Sequence, residues 1–412
     1  MPSSYDACVS DQGPLGDDPF GGIPFLGDLA RLFGQSGGLP WDNARHVAIS
    51  VATEGTSEAN VDPVERMGIE QLARVADLHV ADVTGLPTST GGRPVAVVPV
   101  NRTRWVTESL EAYRPLVERL ASALGPSPAD LDDDDRPDDV DDPMSGMLSG
   151  MLKALQPMML AMTAGSMVGH LARRSLGQYD LPIPRPLGSP TADDLLLIVP
   201  NLDAFAREWS LSPEDLRLWI CVHEIAHHTV FGVPHVRGRL DDLLTRYASS
   251  FQNDFTSLQD RIGEIDPSDP ESLAGLQQLI GSPDVILGAI TSPEQSTLRP
   301  QLDALVAVVE GVVDHILDVV GGKLIPSYGM LTEALRRRRV EAAEADRFVE
   351  RLFGLELTQA TYDRGSAFVG GVIERAGEDG LRRLWADAAN LPTPPEVDAP
   401  GLWLARLDLG VS

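Results

Sequence analysis

The amino-acid sequence predicts a mostly helical α+β protein. Beyond Ser212, nearly every segment repeats apolar residues at steps of three and four, the spacing that places them on one face of a helix. Two short runs have the character of strands, and no internal repeat is evident. The 412 residues are 43% hydrophobic, which is enough to bury a substantial core, so disorder of the whole chain is excluded.

The first half of the chain is predicted to contain helices and two strands. Residues 1–40 are rich in Gly, Pro and Asp and are predicted to form a tail, and a helical pattern begins at Trp41. Residues 94–100 and 195–199 are the predicted strands. Helices are expected over residues 104–124 and, in a Met-rich stretch, over residues 154–169.

The second half is predicted to be a series of helices. Their ranges are residues 211–231, 240–262, 272–280, 301–320, 331–352, 360–376 and 380–388.

An acidic block divides the chain. Nine aspartates and one arginine, Arg136, fall within residues 130–142 and contribute −8 to the net charge of −28. Such a run cannot bury apolar surface, so residues 127–143 are predicted to be a disordered linker or loop. A Ca²⁺ loop is disfavoured, because the block lacks the glycine and the closing glutamate of an EF-hand. The acidic block divides the chain beyond the tail into an N-terminal part, residues 41–126, and a part predicted to be catalytic, residues 144–410.

Charge and composition restrict the partners and the compartment. A net charge of −28 opposes binding to nucleic acids and to anionic membrane surfaces. The most apolar stretch, residues 154–169, is too short and too interrupted to span a membrane. Two cysteines and no visible signal peptide predict a cytoplasmic protein. The oligomeric state is left open.

Four of the eight histidines lie between residues 223 and 235. Within this stretch His223, Glu224 and His227 form an HExxH motif. Ser212 followed by Pro213 is a helix start, so His223 and His227 are predicted to lie four residues apart on one helix face. Two such histidines can bind one Zn²⁺, and Glu224 is placed to act as the general base.

A catalytic zinc needs a third protein ligand. One candidate is His235, although it lies eight residues beyond His227, where a metzincin has a spacing of six. The other candidate is Glu310, which interrupts an apolar helix and is followed by Gly311. The spacing from Glu310 to Asp314 matches gluzincins, in which the later Asp orients a ligating histidine. We favour Glu310 over His235.

The sequence resembles the actinobacterial zinc-dependent metalloproteases, a family of zincin-like hydrolases with some relatives associated with coenzyme F420 biosynthesis. The resemblance covers Trp41 to Arg406 and rests on six segments: residues 176–182, 223–227, 310–311, 353–356, 362–368 and 391–406. It implies a zincin-like helical fold that binds one Zn²⁺ per chain through His223, His227 and Glu310, with Glu224 as the base.

Other side chains are candidates for substrate contacts. A hydrolase of this kind needs a donor that stabilises the oxyanion, and the candidates are His235, His315, Tyr328 and Tyr362. Arg338 and Arg339 could bind a substrate carboxylate, but pairing with Glu341 or Glu344 on the helix surface is favoured.

These observations predict a zinc-dependent metallohydrolase, most plausibly a peptidase acting on a peptide or another amide. The alternative is a catalytically silent zincin-like protein with a binding or regulatory role. A helical interaction protein with a fortuitous HExxH motif is the third hypothesis, and it predicts no bound metal.

Overall fold

The computed structural model of the protein describes residues 39–89, 94–123, 143–186, 191–251, 292–340, 350–355 and 357–410, with residues 143–156 described by their backbone alone. Residues 1–38 of the predicted tail, residues 127–142 of the predicted linker and the predicted helix over residues 272–280 lie outside the described residues. So do residues 252–262 and 341–349, which are parts of two other predicted helices. The elements are α1 (Trp41–Thr53), α2 (Pro63–Thr84), β1 (Ala96–Val100), α3 (Arg102–Ala123), α4 (Pro143–Arg174), β2 (Asp194–Ile198), α5 (Val199–Glu208), α6 (Pro213–Phe231), α7 (Pro234–Ser249), α8 (Pro293–Leu324), α9 (Tyr328–Val340), α10 (Gln359–Arg382), α11 (Pro394–Asp398) and α12 (Pro400–Leu409).

The two strands form a small parallel sheet. Strand β1 pairs with β2 in a register that places Val98 opposite Leu196 and Val100 opposite Ile198. Most of their side chains are buried, as expected where helices cover the sheet. The pairing joins the part of the chain before the acidic block to the part after it. The mostly helical α+β prediction is therefore confirmed, and both predicted strands exist within one residue or two of their expected bounds.

Helix α6 is buried along almost its whole length. The Ser212 hydroxyl accepts a hydrogen bond from the Asp215 amide, 3.3 Å away, and Pro213 occupies the first turn, as the sequence predicts. Every residue from Trp219 to Phe231 is buried. The helix ends before Gly232, and Pro234 begins α7 in a new direction. A helix surrounded in this way can hold polar side chains only where other elements bring partners to them.

Two glycines let α8 and α10 approach closely. A Cβ atom at Gly311 would overlap the backbone of Gly365, and a Cβ at Gly365 would overlap the carbonyl oxygen of Ala307. Similar contacts join α4 to α1, where Gly165 lies against the backbone of Ala44. These positions exclude a side chain and fix the spacing between the helix axes.

Several helices differ from their predicted ranges. Helix α8 extends to both sides of the predicted residues 301–320, because a capping box of Ser292 and Gln295 starts it earlier. Helix α10 covers the predicted helix 360–376 and continues past a kink at Gly377, where φ is 66°, into the start of the segment predicted as 380–388. The rest of that segment contains a 3-10 turn, Arg383–Trp385. Helices α5, α11 and α12 were missed, since each begins at or beside a proline within a short segment.

Among the described helices, none has the length and the apolar character needed to cross a bilayer.

Replacing Gly365 with alanine should lower the free energy of unfolding by about 1–3 kcal/mol or more, because the methyl group overlaps the α8 backbone. Gly370→Ala on the same helix is the matched control: its Cβ would contact nothing within 4 Å. There the better helix propensity of alanine should raise stability by about 0.5–1 kcal/mol. Chemical denaturation measures both, and equal effects would show that close approach does not limit this helix pair.

Candidate metal centre

Helix α6 presents His223, Glu224 and His227 to the interior of the protein. Their exposed fractions are 6%, 0% and 0%. The His223 and His227 rings lie side by side with 4.4 Å between their centroids, as residues four apart on one helix face should. Ionisable groups at this depth are unfavourable unless each has a partner.

Glu310 on α8 is the partner of His227. The distance between His227 Nε2 and Glu310 Oε1 is 3.1 Å, and Glu310 is also buried. Burial lowers the pKa of His227, but the Glu310 carboxylate outweighs it and raises that pKa overall. Burial likewise raises the pKa of Glu310, but the charges of His227 and Arg339 outweigh it and lower that pKa overall. The structure thus brings together residues 83 positions apart, as the sequence predicts.

His223 lies at the edge of the cluster. Its ring stacks on Trp219, with centroids 5.0 Å apart, and its Nδ1 lies 3.0 Å from Glu224 Oε1. Burial, followed by the charge of His227, holds the pKa of His223 well below its ordinary value. A neutral imidazole is the form that binds a metal ion.

The loop that follows α4 holds the other carboxylate oxygen of Glu224. Oε2 accepts hydrogen bonds from the backbone amides of Gln178 (2.8 Å) and Tyr179 (2.9 Å). Gly177 precedes these two amides, and a Cβ atom there would overlap the Glu224 carboxylate. We call residues 176–180 the carboxylate loop.

The carboxylate loop is itself anchored to the core. Buried Trp105 donates its indole N–H to the carbonyl of Gly177 at 3.2 Å, and the amide of Ile198 in β2 donates to the carbonyl of Leu176 at 2.9 Å. The Asp180 carboxylate closes the loop by accepting from the amide of Leu176. Burial, and then the charge of Asp180, raise the pKa of Glu224 to about 8. A carboxylate with a raised pKa is a stronger general base.

Tyr179 connects the carboxylate loop to α6. Its ring stacks on His227, with centroids 5.4 Å apart and an angle of 11° between the rings. Its hydroxyl lies 3.2 Å from His228 Nδ1, and His228 Nε2 lies 3.3 Å from an Asp193 carboxylate oxygen. His228 therefore points away from the metal-binding face, and it holds Tyr179 in place.

A cleft with an empty volume of about 760 Å³ opens onto this cluster. His223, Glu310 and Tyr179 reach it from one side. Arg339 and Tyr362 line another part of it, and the guanidinium of Arg339 lies over the Tyr362 ring, 4.1 Å from its centroid. Among the four residues predicted as oxyanion donors, Tyr362 is the one that lines this cleft.

The other three candidates are engaged elsewhere. His235 Nε2 lies 3.0 Å from the carbonyl oxygen of Leu384, so the ring does not take part in the cluster as an alternative ligand. His315 pairs with exposed Glu378 at 3.0 Å, and the Tyr328 hydroxyl donates to Asp318 at 2.7 Å.

Asp314 differs from the gluzincin pattern. It pairs with Arg339, 3.4 Å away, where the prediction has it orienting a ligating histidine. Such an acid would bind the Nδ1 atom of a ligating histidine. Nδ1 of His223 already contacts Glu224, and Nδ1 of His227 contacts the backbone carbonyl of His223. Burial raises the pKa of Asp314.

Comparison with known proteins identifies the family of the chain. The family model of the zincin-like metallopeptidases matches residues 39–404. The chain belongs to the zincin-like metallopeptidase family. Its fold is similar to the crystal structure of a "putative hydrolase with a novel fold" from Chloroflexus aurantiacus, with a TM-score of 0.61 at 24% identity over 90% of this chain and 99% of that one. No curated protein matches the chain.

Membership of this family implies a zinc hydrolase, and the donor set of the cluster fits a zinc ion. Two ligands of a tetrahedral zinc lie about 3.3 Å apart, close to the 3.1 Å between His227 Nε2 and Glu310 Oε1. No group of three His, Cys, Asp or Glu side chains in the described part of the chain forms a ready-made metal site. His223 would supply the third donor, with its Nδ1 held by Glu224 Oε1 at 3.0 Å.

The carboxylate loop is the part of this zincin-like site to which the sequence assigned no role. Residues 176–182 were noted as a segment of family resemblance, but nothing in their pattern indicated that two of their amides bind Glu224. The signal that was available is Gly177, a glycine shortly after the end of a helix and followed within three residues by Tyr179 and Asp180.

Replacing Gly177 with alanine should force the Glu224 carboxylate from its amides and lower the free energy of unfolding by about 1–3 kcal/mol. The same change in a Glu224→Ala background should cost much less, because the overlapping group is gone. A double-mutant cycle measured by chemical denaturation tests this. Additive effects would show that the glycine does not serve the carboxylate.

Proposed function

We propose that the protein is a zinc-dependent hydrolase that cleaves peptide or other amide bonds, with one Zn²⁺ per chain held by His223, His227 and Glu310. The observation that carries the proposal is the position of Glu224. It shares a helix with two histidines, of which His227 meets the buried carboxylate of Glu310, and backbone amides fix one of its own oxygens.

Glu224 acts as the general base. Oε2 stays bound to the amides of Gln178 and Tyr179, which leaves Oε1 beside His223, a residue that lines the cleft. Oε1 accepts a proton from the attacking water and then gives it to the leaving nitrogen. A bound zinc ion would polarise the scissile carbonyl and activate the water.

Tyr362 is the side chain we propose as the oxyanion donor. It lies in the cleft, and burial raises the pKa of its hydroxyl, so it keeps its proton. A neutral phenol can donate to the oxygen on which negative charge develops.

A catalytically silent binding protein is not favoured. Such a protein has no need to bury Glu224. In this chain the carboxylate loop is anchored by Trp105, and the absence of a side chain at Gly177 leaves the space that the Glu224 carboxylate occupies. We also keep a cytoplasmic location and a peptide or amide substrate as part of the proposal.

Loss of a ligand should remove the metal. Glu310→Ala should purify with much less than one zinc per chain, while His235→Ala, whose ring bonds a distant backbone carbonyl, should keep it. Elemental analysis of both variants and the wild type measures this. Zinc loss in His235→Ala alone would make His235 the third ligand.

Loss of the base should remove activity without removing the metal. Glu224→Gln keeps the size and shape of the side chain, but the amide cannot accept the proton. We therefore expect kcat to fall by about 10²–10⁴-fold at unchanged zinc content. A broad peptide library read by mass spectrometry provides the assay. Full zinc content with no cleavage by the wild type would favour the binding role. An absence of zinc from the wild type would exclude both the hydrolase and the zincin-like binding protein.

A further inference from the structure

The cleft contains a set of arginines that the proposed chemistry does not use. Three arginines and three carboxylates line it: Arg174, Arg338, Arg339, Asp180, Glu310 and Glu350. Each guanidinium is a possible partner for an anionic ligand, and the contacts of the three arginines decide which of them can bind one. The pairing of Arg338 or Arg339 with Glu341 or Glu344, favoured from the sequence, lies outside the described residues.

Two of the three arginines hold the wall of the cleft together. Arg174 and Arg338 each donate to the backbone carbonyl of the other. Arg338 also pairs with Asp180 of the carboxylate loop at 3.1 Å. These contacts join α9 to the end of α4 and occupy both guanidinium groups with structural bonds.

Arg339 is fixed differently. Its guanidinium carbon lies over the Tyr362 ring, 4.1 Å from the centroid, and one nitrogen, Nη2, lies 3.4 Å from Asp314. That is the one hydrogen bond the described residues give to a group with five N–H donors. Its side chain is 23% exposed, and it lines the cleft beside Glu310. The stack and the ion pair set the orientation of the planar fork before any ligand arrives.

We propose that Arg339 binds a carboxylate of the substrate and makes the enzyme prefer peptides that carry one close to the scissile bond. A guanidinium held in one plane matches a carboxylate through two parallel N–H···O bonds. The carboxylate is either the C-terminal group of a peptide or the side chain of an acidic residue. The cleavage step rests on the proposed function, while the binding of a carboxylate does not.

Binding is tested on the purified, metal-containing protein by isothermal titration with N-acetylphenylalanine and with its amide. The free acid should bind at least about 10-fold more tightly than the amide, as a charge-assisted hydrogen bond allows. In Arg339→Gln this ratio should fall to about 1. Arg337→Gln is the matched control, because Arg337 is on the same helix, is exposed and pairs with Glu333. It should keep the wild-type ratio.

Cleavage is tested with matched peptides that have a free or an amidated C-terminus, and with Glu or Gln next to the cleaved bond. The wild type should favour one acidic member by kcat/KM, mainly through KM, and Arg339→Gln should lose that preference. The pair that shows the effect identifies the source of the carboxylate. Arg339→Lys keeps the charge but lacks the planar pair of N–H donors, so it should give an intermediate preference. This variant replaces Arg339→Gln in the experiment if Arg339→Gln does not fold.

The outcomes separate this inference from the proposed function. Binding of the acid that depends on Arg339, without cleavage of any peptide, would overturn the proposed hydrolase and leave the inference standing. Cleavage of acidic and neutral peptides with equal kcat/KM, and equal binding of the acid and the amide, would overturn the inference alone.

Discussion

His227 and Glu310 meet in the core, and the rest of the site depends on this contact. It joins α6 to α8, the two most deeply buried helices of the site, through a distance of 3.1 Å between Nε2 and Oε1. Neither side chain could be buried alone, because desolvation of a single charge is far more unfavourable than that of a pair. The pair therefore fixes the relative positions of the two helices along their length. It also places the two donor atoms at a separation that a single metal ion can bridge.

The close approach of α10 to α8 has a consequence for the cleft. Gly311 follows Glu310 directly, so the point at which the two helices touch lies one residue from the carboxylate. Tyr362 stands one turn before Gly365 on α10 and so reaches the same level as Glu310. Because Arg339 rests on Tyr362 and pairs with Asp314 one turn along α8, its position follows from the same contact. A pair of glycines thus determines which polar groups face the metal-binding residues.

The sequence predicted the part of the site that depends on helix periodicity. His223, Glu224 and His227 follow from a spacing of four and a capped start, and Glu310 stands out because a lone acid in an apolar helix needs a partner. The roles of Asp314 and of the carboxylate loop could not be predicted in the same way. Asp314 has the spacing of a gluzincin acid, but its partner is chosen by α9, whose position is set by packing. Two backbone amides bind Glu224, and an amide carries no residue identity that a sequence pattern can show.

Glu224, the base in the proposed function, is held by backbone amides, which add no formal charge to the site. Side-chain donors such as Arg or Lys would neutralise Glu224 and lower its pKa, which would weaken it as a base. Amides orient the carboxylate without adding a formal charge, and burial keeps the pKa high, at about 8. Asp180, the second cause of the raised pKa, is in turn paired with Arg338, so its own charge is compensated away from the base. The carboxylate loop thus orients Glu224, and in the proposed function charge compensation falls to the zinc ion and to the arginines that line the cleft.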